Sequence, residues 1–432
     1  MNDAATTAKD GTRAALWGLL VPAAAILMMT MGPRQVSGLF VSPLNTATGI
    51  GIVGISFALA VGQLVWGLSQ PVFGALADRF GPTPVLVGGG LLLSVGMGVT
   101  PLIDSQWGLV VSMGLLVAAG AGAGSFAVLV GATAQRMPPE QRSFAAGFIN
   151  AGGSLGQFVF APITERLIAL AGWVNAMYTL AIVSLLTIPL ALRLRQRTRG
   201  SRGNAGAQPG TEAAGDAPGA PAPAAHARAG ASLSLRAQLR QALGDRSYLL
   251  LHAGFFTCGF HIAFLITHLP SEVALCNLSS GVAGVSIAII GLANVAGSLG
   301  AGWLGSRYRM KYLLFWMYMS RALIVLAYMA APKTAITFYV FAIGLGLTWL
   351  ATVPPTAGIV GKLFGVRYLA TLFGLTLVSH QVGGFFGAWL GGIALEHTGQ
   401  LQWMWIADAV LAALAAVANL PIREDRLRAQ PV

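Results

Sequence analysis

The chain has 432 residues, of which 55% are hydrophobic and only 9% are charged, and its mean hydropathy is +0.71. Apolar runs of about 20 residues or more recur along it, which excludes a soluble globular protein. The formal net charge of +12 is also compatible with a nucleic-acid-binding protein. The positions of the basic residues relative to the apolar runs distinguish the two classes.

The apolar runs predict an all-α membrane protein of twelve transmembrane helices, arranged as two pseudo-symmetric bundles of six. The predicted spans are 16–44, 52–77, 84–103, 107–135, 143–164 and 173–192, then 248–269, 281–305, 312–331, 335–361, 368–395 and 403–421. With the N-terminus inside, all but four of the 26 Lys and Arg residues fall on the inner side. The basic excess therefore follows the positive-inside rule, and we expect no nucleic-acid partner. Both termini are expected in the cytoplasm of a bacterial cell, with the chain in the plasma (inner) membrane.

Helix 1 carries an arginine in an apolar setting. The stretch MMTMGPRQVSGLFV (28–41) places Arg34 directly after Gly-Pro, although a guanidinium at the centre of a membrane helix costs roughly 3 kcal/mol on insertion scales. Thr30 and Ser37 lie one turn away on either side, and Pro33 removes a backbone donor, so a kink can direct the side chain into water. We interpret Arg34 as an anion-binding or gating residue. The alternative is a structural arginine bound by backbone carbonyls.

A polar interval separates the two sets of helices, and we assign residues 1–195 and 247–432 to the bundles and 196–246 to a cytoplasmic linker. Its Ala/Gly/Pro tract contains too few large apolar residues to form a core, which predicts disorder over most of its length. The end, SLSLRAQLRQALGD, places three leucines on one helical face. This pattern predicts a short amphipathic helix, either on the inner membrane surface or as a plain connection.

The two halves contain related segments. QPVFGALADRF (70–80) and GAGWLGSRYRMK (300–311) both follow the second helix of a half, and RSFAAGF (142–148) and RYLATLF (367–373) both begin the fifth. Duplicated six-helix halves are typical of a transporter with its site between them.

The first of these segments resembles a known motif. Gly74-Ala-Leu-Ala-Asp78-Arg79-Phe-Gly81 is similar to the Gly-x-Leu-x-Asp-Arg-x-Gly loop between helices 2 and 3 of the major facilitator superfamily. Together with the helix count and the long central loop, the resemblance covers nearly the whole chain and implies that fold. It also implies a gating role for the loop, with Asp78 meeting the N-terminal end of helix 11. Because the second copy has Ser306 in place of Asp78, this latch is expected to be one-sided.

Within the superfamily, the chain resembles the branch of monocarboxylate transporters and oxalate/formate antiporters. The Pro-Arg pair ending at Arg34 stands where monocarboxylate transporters carry Pro-Lys, and Phe40 matches an aromatic residue slightly further on. Asn294 and Ser298 stand where those transporters carry an Asp and an Arg used for proton coupling and carboxylate binding. His380 stands where the antiporter has a Lys. A mechanism that depends on the Asp-Arg pair is therefore not expected.

Few other ionisable side chains fall within the spans. Arg321 in helix 9 and Asp408 in helix 12 lie at similar depths at 1.5 Å of rise per residue, and we expect a buried ion pair between them, with a transport role as the alternative. His261 and His268 lie seven residues apart on one face of helix 7. His261 and His380 are candidate proton carriers, or else form hydrogen bonds within the bundle.

These features predict a secondary active transporter that moves a small organic anion, a carboxylate, by alternating access between the bundles. The predicted substrate-binding residues are Arg34, Phe40, Asn294, Ser298, Trp349, His380 and Gln381. The predicted coupling or gating residues are Gly74, Asp78, Arg79, Gly81, His261, Arg321 and Asp408. A proton is the candidate coupling ion, and we expect a monomer in the lipid bilayer.

Other functions are weighed against this one. The chain has no nucleotide loop, nucleophile elbow or His/Cys metal cluster, so we expect neither an enzyme nor a cofactor. Efflux of amphipathic or drug-like compounds is the alternative within transport, with Arg34 acting as a gate. A membrane sensor that has lost transport is a third possibility.

Overall fold

The computed structural model describes residues 2–134, 137, 139–194, 234–365 and 369–424, and all the regular secondary structure in these ranges is helical. The predicted disordered tract of the linker lies outside these residues, as do the side chains of Asp78 and Ser306.

The first half contains helices 1 to 6, several of which are interrupted. Their bounds are Asn2–Gln35, Ser37–Phe40 and Val41–Thr48 for helix 1, Ile52–Phe80 for helix 2, Pro82–Val99 and Thr100–Leu102 for helix 3, Gln106–Leu109, Val110–Val117, Ala118–Ala123 and Phe126–Ala134 for helix 4, and Pro139–Ser184 with Thr187–Arg193 for helices 5 and 6. Helices 5 and 6 meet at Gly172, where φ is 81° and ψ is 161°. A left-handed φ of this kind suits glycine because it has no Cβ.

The second half contains helices 7 to 12. Their bounds are Arg246–Leu275, Ser280–Arg307, Met310–Ala330, Ala335–Thr348 with Val353–Phe364, Leu369–Thr398 and Gln402–Asn419. The predicted amphipathic helix precedes them at Leu235–Gly244. Its Gln238 side chain donates a hydrogen bond to the carbonyl of Phe364 (2.8 Å), which attaches this helix to the end of helix 10.

Ten segments of the described residues are long and apolar enough to cross a membrane. One of them, Gly147–Arg193, has 47 residues and contains the break at Gly172, so it provides two crossings. Leu369–Thr398 is a further helix of 30 residues, whose polar His380 and Gln381 lower its hydropathy. Counted in this way, the described residues contain the twelve predicted crossings.

The helix pairs of the two halves correspond. Helix 1 packs on helix 5, helix 2 on helix 4 and helix 3 on helix 6, while helices 7 and 11, 8 and 10, and 9 and 12 pack in the same way. Between the halves, helix 2 contacts helix 11 and helix 5 contacts helix 8, and the repeat exchanges these two contacts. The internal duplication predicted from the sequence is therefore present in the packing.

Among the described residues, side-chain hydrogen bonds between the halves lie at mid-depth or on the side away from the linker. On that side, the carboxylate of Glu396 accepts from the backbone N–H of Val53 (3.0 Å), and the Ser280 hydroxyl donates to Glu165 (2.6 Å). Each carboxylate lies near the end of a helix in one half and contacts the first turn of a helix in the other. A helix N-terminus favours negative charge, so both contacts hold the halves together on the side opposite the linker.

Candidate functional site

Helix 1 departs from regular α-helix directly after Arg34, as the Pro33 pattern predicts. The α-helix ends at Gln35, a 3₁₀ turn follows over Ser37–Phe40, and α-helix resumes at Val41. At this break, a guanidinium N–H of Arg34 donates to the side-chain oxygen of Gln63 on helix 2. The guanidinium also lies over the indole of Trp66, 4.1 Å from the ring centroid.

Arg34 has no counter-ion among the described residues, where the ion pairs found involve other side chains. Its two partners are a neutral amide and an aromatic face, which attracts a cation but carries no net charge. The structural interpretation, in which backbone carbonyls bind Arg34, is not what the structure shows. The arrangement leaves one positive charge available to an anion.

A cavity of about 30 Å³ lies beside this guanidinium. Its polar wall contains Arg34, Ser37 and Gln63, Phe40 lies next to them, and Met97, Met113 and Met177 form much of the apolar wall. This volume accommodates one or two water molecules, so the cavity has to widen before a larger ligand enters. Unbranched methionine side chains adapt readily to such a change of shape.

Asn294 connects the halves, Ser298 bonds to Asn294, and neither residue lines this cavity. The Asn294 amide donates to the hydroxyl of Ser154 on helix 5 (2.9 Å), and its oxygen accepts from the backbone N–H of Leu350 (3.0 Å) and from Ser298 (3.3 Å). Asn294 is buried. In this conformation, Asn294 therefore serves the contact between helices 5 and 8, and Ser298 supports it from the next turn of helix 8.

His380 and Gln381 lie in helix 11, where it contacts helix 2. His380 Nδ1 lies 3.4 Å from the Gln381 amide nitrogen, and the Gln381 oxygen is buried with no hydrogen-bond partner among the described residues. Gln381 packs so closely on Gly67 that an added Cβ there would lie 2.1 Å from its Cγ. One turn later, helix 11 reaches the Gln63 side chain at Gly384. The helix 2 to helix 11 contact therefore brings the His380–Gln381 group near the partner of Arg34.

Helix 10 is broken at its centre. Its two segments end at Thr348 and begin at Val353, and prolines 354 and 355 remove two backbone donors. The N–H of Val353 donates to Leu350 (3.1 Å), so the carbonyl of Trp349 has no helical partner. The break frees backbone carbonyls inside the protein, where each requires a donor.

Arg321 provides those donors, and the predicted ion pair between Arg321 and Asp408 is wrong. Its guanidinium is 1% exposed and donates to the carbonyls of Thr348 and Trp349, the latter at 2.8 Å. Another N–H lies 3.3 Å from the sulfur of Cys258. The planar guanidinium can reach several acceptors at once, so the broken helix and not a carboxylate satisfies this arginine.

Asp408 binds His261. The carboxylate oxygen Oδ2 lies 2.6 Å from Nδ1 of the imidazole, and both side chains are at most 1% exposed. Within the described residues, His261 Nε2 and Asp408 Oδ1 are buried with no hydrogen-bond partner. The ring of Trp349 lies 6.0 Å from the imidazole, so Trp349 belongs to this polar cluster in the second half and does not line the cavity at Arg34. His268 Nε2 donates to the carbonyl of Ala388 (2.7 Å) and joins helix 7 to helix 11.

The loop after helix 2 is described in part. Gly81 has a φ of 86° at the turn into helix 3, which explains the final glycine of the motif. Arg79 is exposed and its guanidinium lies 5.1 Å from the ring centroid of Phe80, while Gly74 faces open space. The latch between Asp78 and helix 11 remains a prediction, because that side chain and residues 366–368 lie outside the described residues.

Sequence reasoning missed Gln63, Trp66 and Ser154. Gln63 is the polar residue in the apolar stretch FALAVGQLVWGL (57–68), and its isolation could have marked it as a partner of Arg34. Ser154 lies in a Gly/Ser-rich stretch and gives no such signal.

Comparison with known proteins identifies the family of the chain. The family model described as Major Facilitator Superfamily matches residues 17–388. The oxalate:formate antiporter of Oxalobacter formigenes is 31% identical over 196 residues, which are 45% of this chain and 46% of the antiporter, so this match spans about half of that relative. Monocarboxylate transporter 13 of Rattus norvegicus is 24% identical over 419 residues, covering 94% of this chain and 89% of the relative.

Solved structures show the same architecture. A D-xylose-proton symporter superposes with a TM-score of 0.72 at 13% identity, covering 94% of this chain and 98% of the symporter. A bacterial homolog of the human lysosomal transporter Spinster, in an inward-facing and unoccupied conformation, gives 0.63 at 15% identity and covers 94% of each chain. At these identities, the structures show the fold alone. With a family model across most of its length and transporters as its relatives, the chain belongs to the major facilitator superfamily and is a membrane transporter, not an enzyme.

Proposed function

We propose that this protein is a secondary active transporter for a small organic anion, specifically a carboxylate. The observation that carries the proposal is Arg34, a guanidinium beside a cavity with no counter-ion in the part of the chain that the structure describes. An unpaired charge in a low-dielectric interior is costly. A carboxylate can accept two parallel hydrogen bonds from a guanidinium, which would satisfy this charge each time substrate binds.

The names of the relatives support the same substrate class. One is an antiporter for oxalate and formate, and another is a monocarboxylate transporter. Neither name establishes the substrate here, because the match to the antiporter spans about half of it and the match to the other is 24% identical. The guanidinium of Arg34 is the chemical reason to propose a carboxylate substrate. The names of the relatives do not provide such a reason.

The orientation follows from the distribution of charge. The positive-inside rule places the linker and both termini in the cytoplasm, in a bacterial plasma membrane. The contacts made by Glu396 and Glu165 then close the outer side, so this conformation faces inward. A proton is the proposed coupling ion, moved with the anion by symport, and the working unit is a monomer.

A second candidate is efflux of amphipathic compounds, which the methionine-rich wall of the cavity favours because such walls adapt to varied apolar shapes. In that case, Arg34 acts as a gate and Arg34→Lys retains transport.

Thermal stability of the detergent-purified protein tests the two. We expect oxalate, formate or lactate to raise the midpoint of wild type and of Arg166→Gln, a control that removes an exposed arginine, but not of Arg34→Gln. Stabilisation by neutral or cationic amphiphiles together with no response to any of these anions would reject the carboxylate proposal.

A further inference from the structure

The interior of the second half holds a second group of ionisable side chains, separate from Arg34. Besides the His261–Asp408 pair, its ionisable side chains include Cys258 on helix 7, Tyr318 and Arg321 on helix 9, and His380 on helix 11. His268 lies two turns further along helix 7. Helices 8 and 10 contribute Asn294 and Trp349 to the group, which do not ionise.

Most of these groups are already satisfied. Arg321 donates to the broken helix 10, with Tyr318 beneath its guanidinium at 5.3 Å. His268 contacts a carbonyl and His380 contacts Gln381. The carboxylate of helix 7, Glu272, accepts from Tyr328 (2.7 Å) towards the outer end. The carboxylate of Asp408, in contrast, has an imidazole as its direct partner.

The pair has a defined position for one proton. An ionised carboxylate only accepts hydrogen bonds, so His261 Nδ1 donates to Asp408, which leaves the lone pair of neutral His261 on Nε2. That nitrogen is buried with no partner among the described residues. A proton that binds Nε2 gives an imidazolium held by the Asp408 carboxylate, and its release from Nε2 restores the neutral ring. Carboxylate orientation of this kind is what fixes the tautomer of a histidine that carries protons.

The pair is connected to the contact between the halves. The Trp349 ring packs on the imidazole, and its carbonyl accepts from Arg321. The next residue, Leu350, donates its N–H to Asn294, which bonds to Ser154 in the other half. A charge added at His261 therefore acts on the broken segment of helix 10, which is linked through Asn294 to the contact between helices 5 and 8.

We propose that Nε2 of His261, oriented by Asp408, binds the transported proton, and that the broken segment of helix 10 transmits its occupancy to the Asn294–Ser154 contact. The inference rests on the proposed function, since the added positive charge is balanced when a monocarboxylate binds. Proton and anion then cross together without net charge.

The experiment uses the full chain in liposomes and two assays with radiolabelled formate, oxalate and lactate. One assay measures counterflow exchange, which needs no net proton movement, and the other measures accumulation driven by an acidic exterior. For His261→Gln and Asp408→Asn, we expect exchange to persist and accumulation to be lost. His268→Gln, which removes an equally buried histidine from the same helix, is expected to keep both. Accumulation that persists in His261→Gln would overturn the proposal.

Wild-type protein provides a test that does not depend on variants folding. With the membrane potential clamped by potassium and valinomycin, uptake of formate or lactate is expected to follow the pH gradient and not the potential. Uptake that follows the potential and ignores pH overturns the inference while leaving anion transport intact. No exchange of any of the three anions by wild type means that the proposed function itself fails, and the inference with it.

Discussion

Glu396, near the end of helix 11, accepts a hydrogen bond from the backbone N–H of Val53, in the first turn of helix 2 (3.0 Å). The bond crosses between the halves on the side away from the linker. Charge-assisted hydrogen bonds to a helix N-terminus are stronger than neutral ones. Glu396→Gln is therefore expected to weaken the closure of this side.

Spin labels at positions 48 and 398, in a background without the native cysteines, should report a longer or broader distance distribution in the Glu396→Gln variant. Glu424→Gln, at the opposite side, is the matched control, and equal distributions in all three proteins would contradict the expectation.

Arg321 should be important for stability independently of transport. Its guanidinium donates to two backbone carbonyls and one sulfur. The single ammonium group of a lysine cannot reach all three acceptors with the same geometry. Each buried carbonyl left without a donor costs about 1–3 kcal/mol. We expect Arg321→Lys to lower the thermal midpoint clearly and Arg34→Lys, whose partners are one amide and one ring, to lower it little. Equal midpoints for Arg321→Lys and wild type would show that the carbonyl contacts do not stabilise the fold.

Two glycines of helix 11 should respond oppositely to alanine. At Gly383, an added Cβ would lie 1.9 Å from the carbonyl oxygen of Phe256, whereas at Gly374 it would meet nothing within 4 Å. Backbone cannot move aside as a flexible side chain does, so Gly383→Ala has to separate helices 7 and 11. Gly374→Ala should stabilise by about 0.5–1 kcal/mol through helix propensity. Thermal midpoints of the two variants measured in one detergent test this, and similar changes in both would contradict the packing.

The Glu424 carboxylate, on the side of the protein that carries the linker, predicts that thermal stability depends on pH. It accepts from the N–H groups of Met310 (2.9 Å) and Lys311 (3.0 Å) at the start of helix 9 and forms an ion pair with Lys362. Partial burial alone would raise its pKa, but the hydrogen bonds from Lys311, Lys362 and Met310, with the charge of Lys362, outweigh it and hold the pKa below the usual 4.5.

A carboxylate with a lowered pKa in the folded state stabilises the fold above its unfolded pKa, and this contribution is lost as the pH falls through the folded value. Glu424→Gln is therefore expected to melt below wild type at neutral pH, with the difference shrinking below about pH 4.5. Melting curves from about pH 7 to pH 3 measure it, and a difference that does not change with pH would exclude this role of ionisation.

Much of the fold could be predicted from the sequence because hydrophobic length and helix breakers are local properties. The crossings and the break after Pro33 each follow from residues that are neighbours along one helix. The break in helix 10 is similarly marked by prolines 354 and 355, although the sequence does not indicate what fills it.

The partners of the buried charges could not be predicted in this way. Rise per residue gives the depth of Arg321 and Asp408 in the membrane but not the direction in which each side chain points. Asp408 turns towards helix 7 and His261, and Arg321 turns towards helix 10. The candidate site has the same limit, since Arg34 is evident in the sequence while Gln63 and Trp66 became its partners only through the packing of helix 2 against helix 1.

The break in helix 10 also bears on the mechanics of transport. A helix interrupted by two prolines often acts as a hinge, but here Arg321 binds the freed carbonyls and Asn294 binds the N–H of Leu350. Bending at this point would cost those hydrogen bonds, so the joint is stiff. A displacement at one end of helix 10 is then passed to its other end. For the proposed alternating access, the contacts left to change are those between the halves, between helices 2 and 11 and between helices 5 and 8.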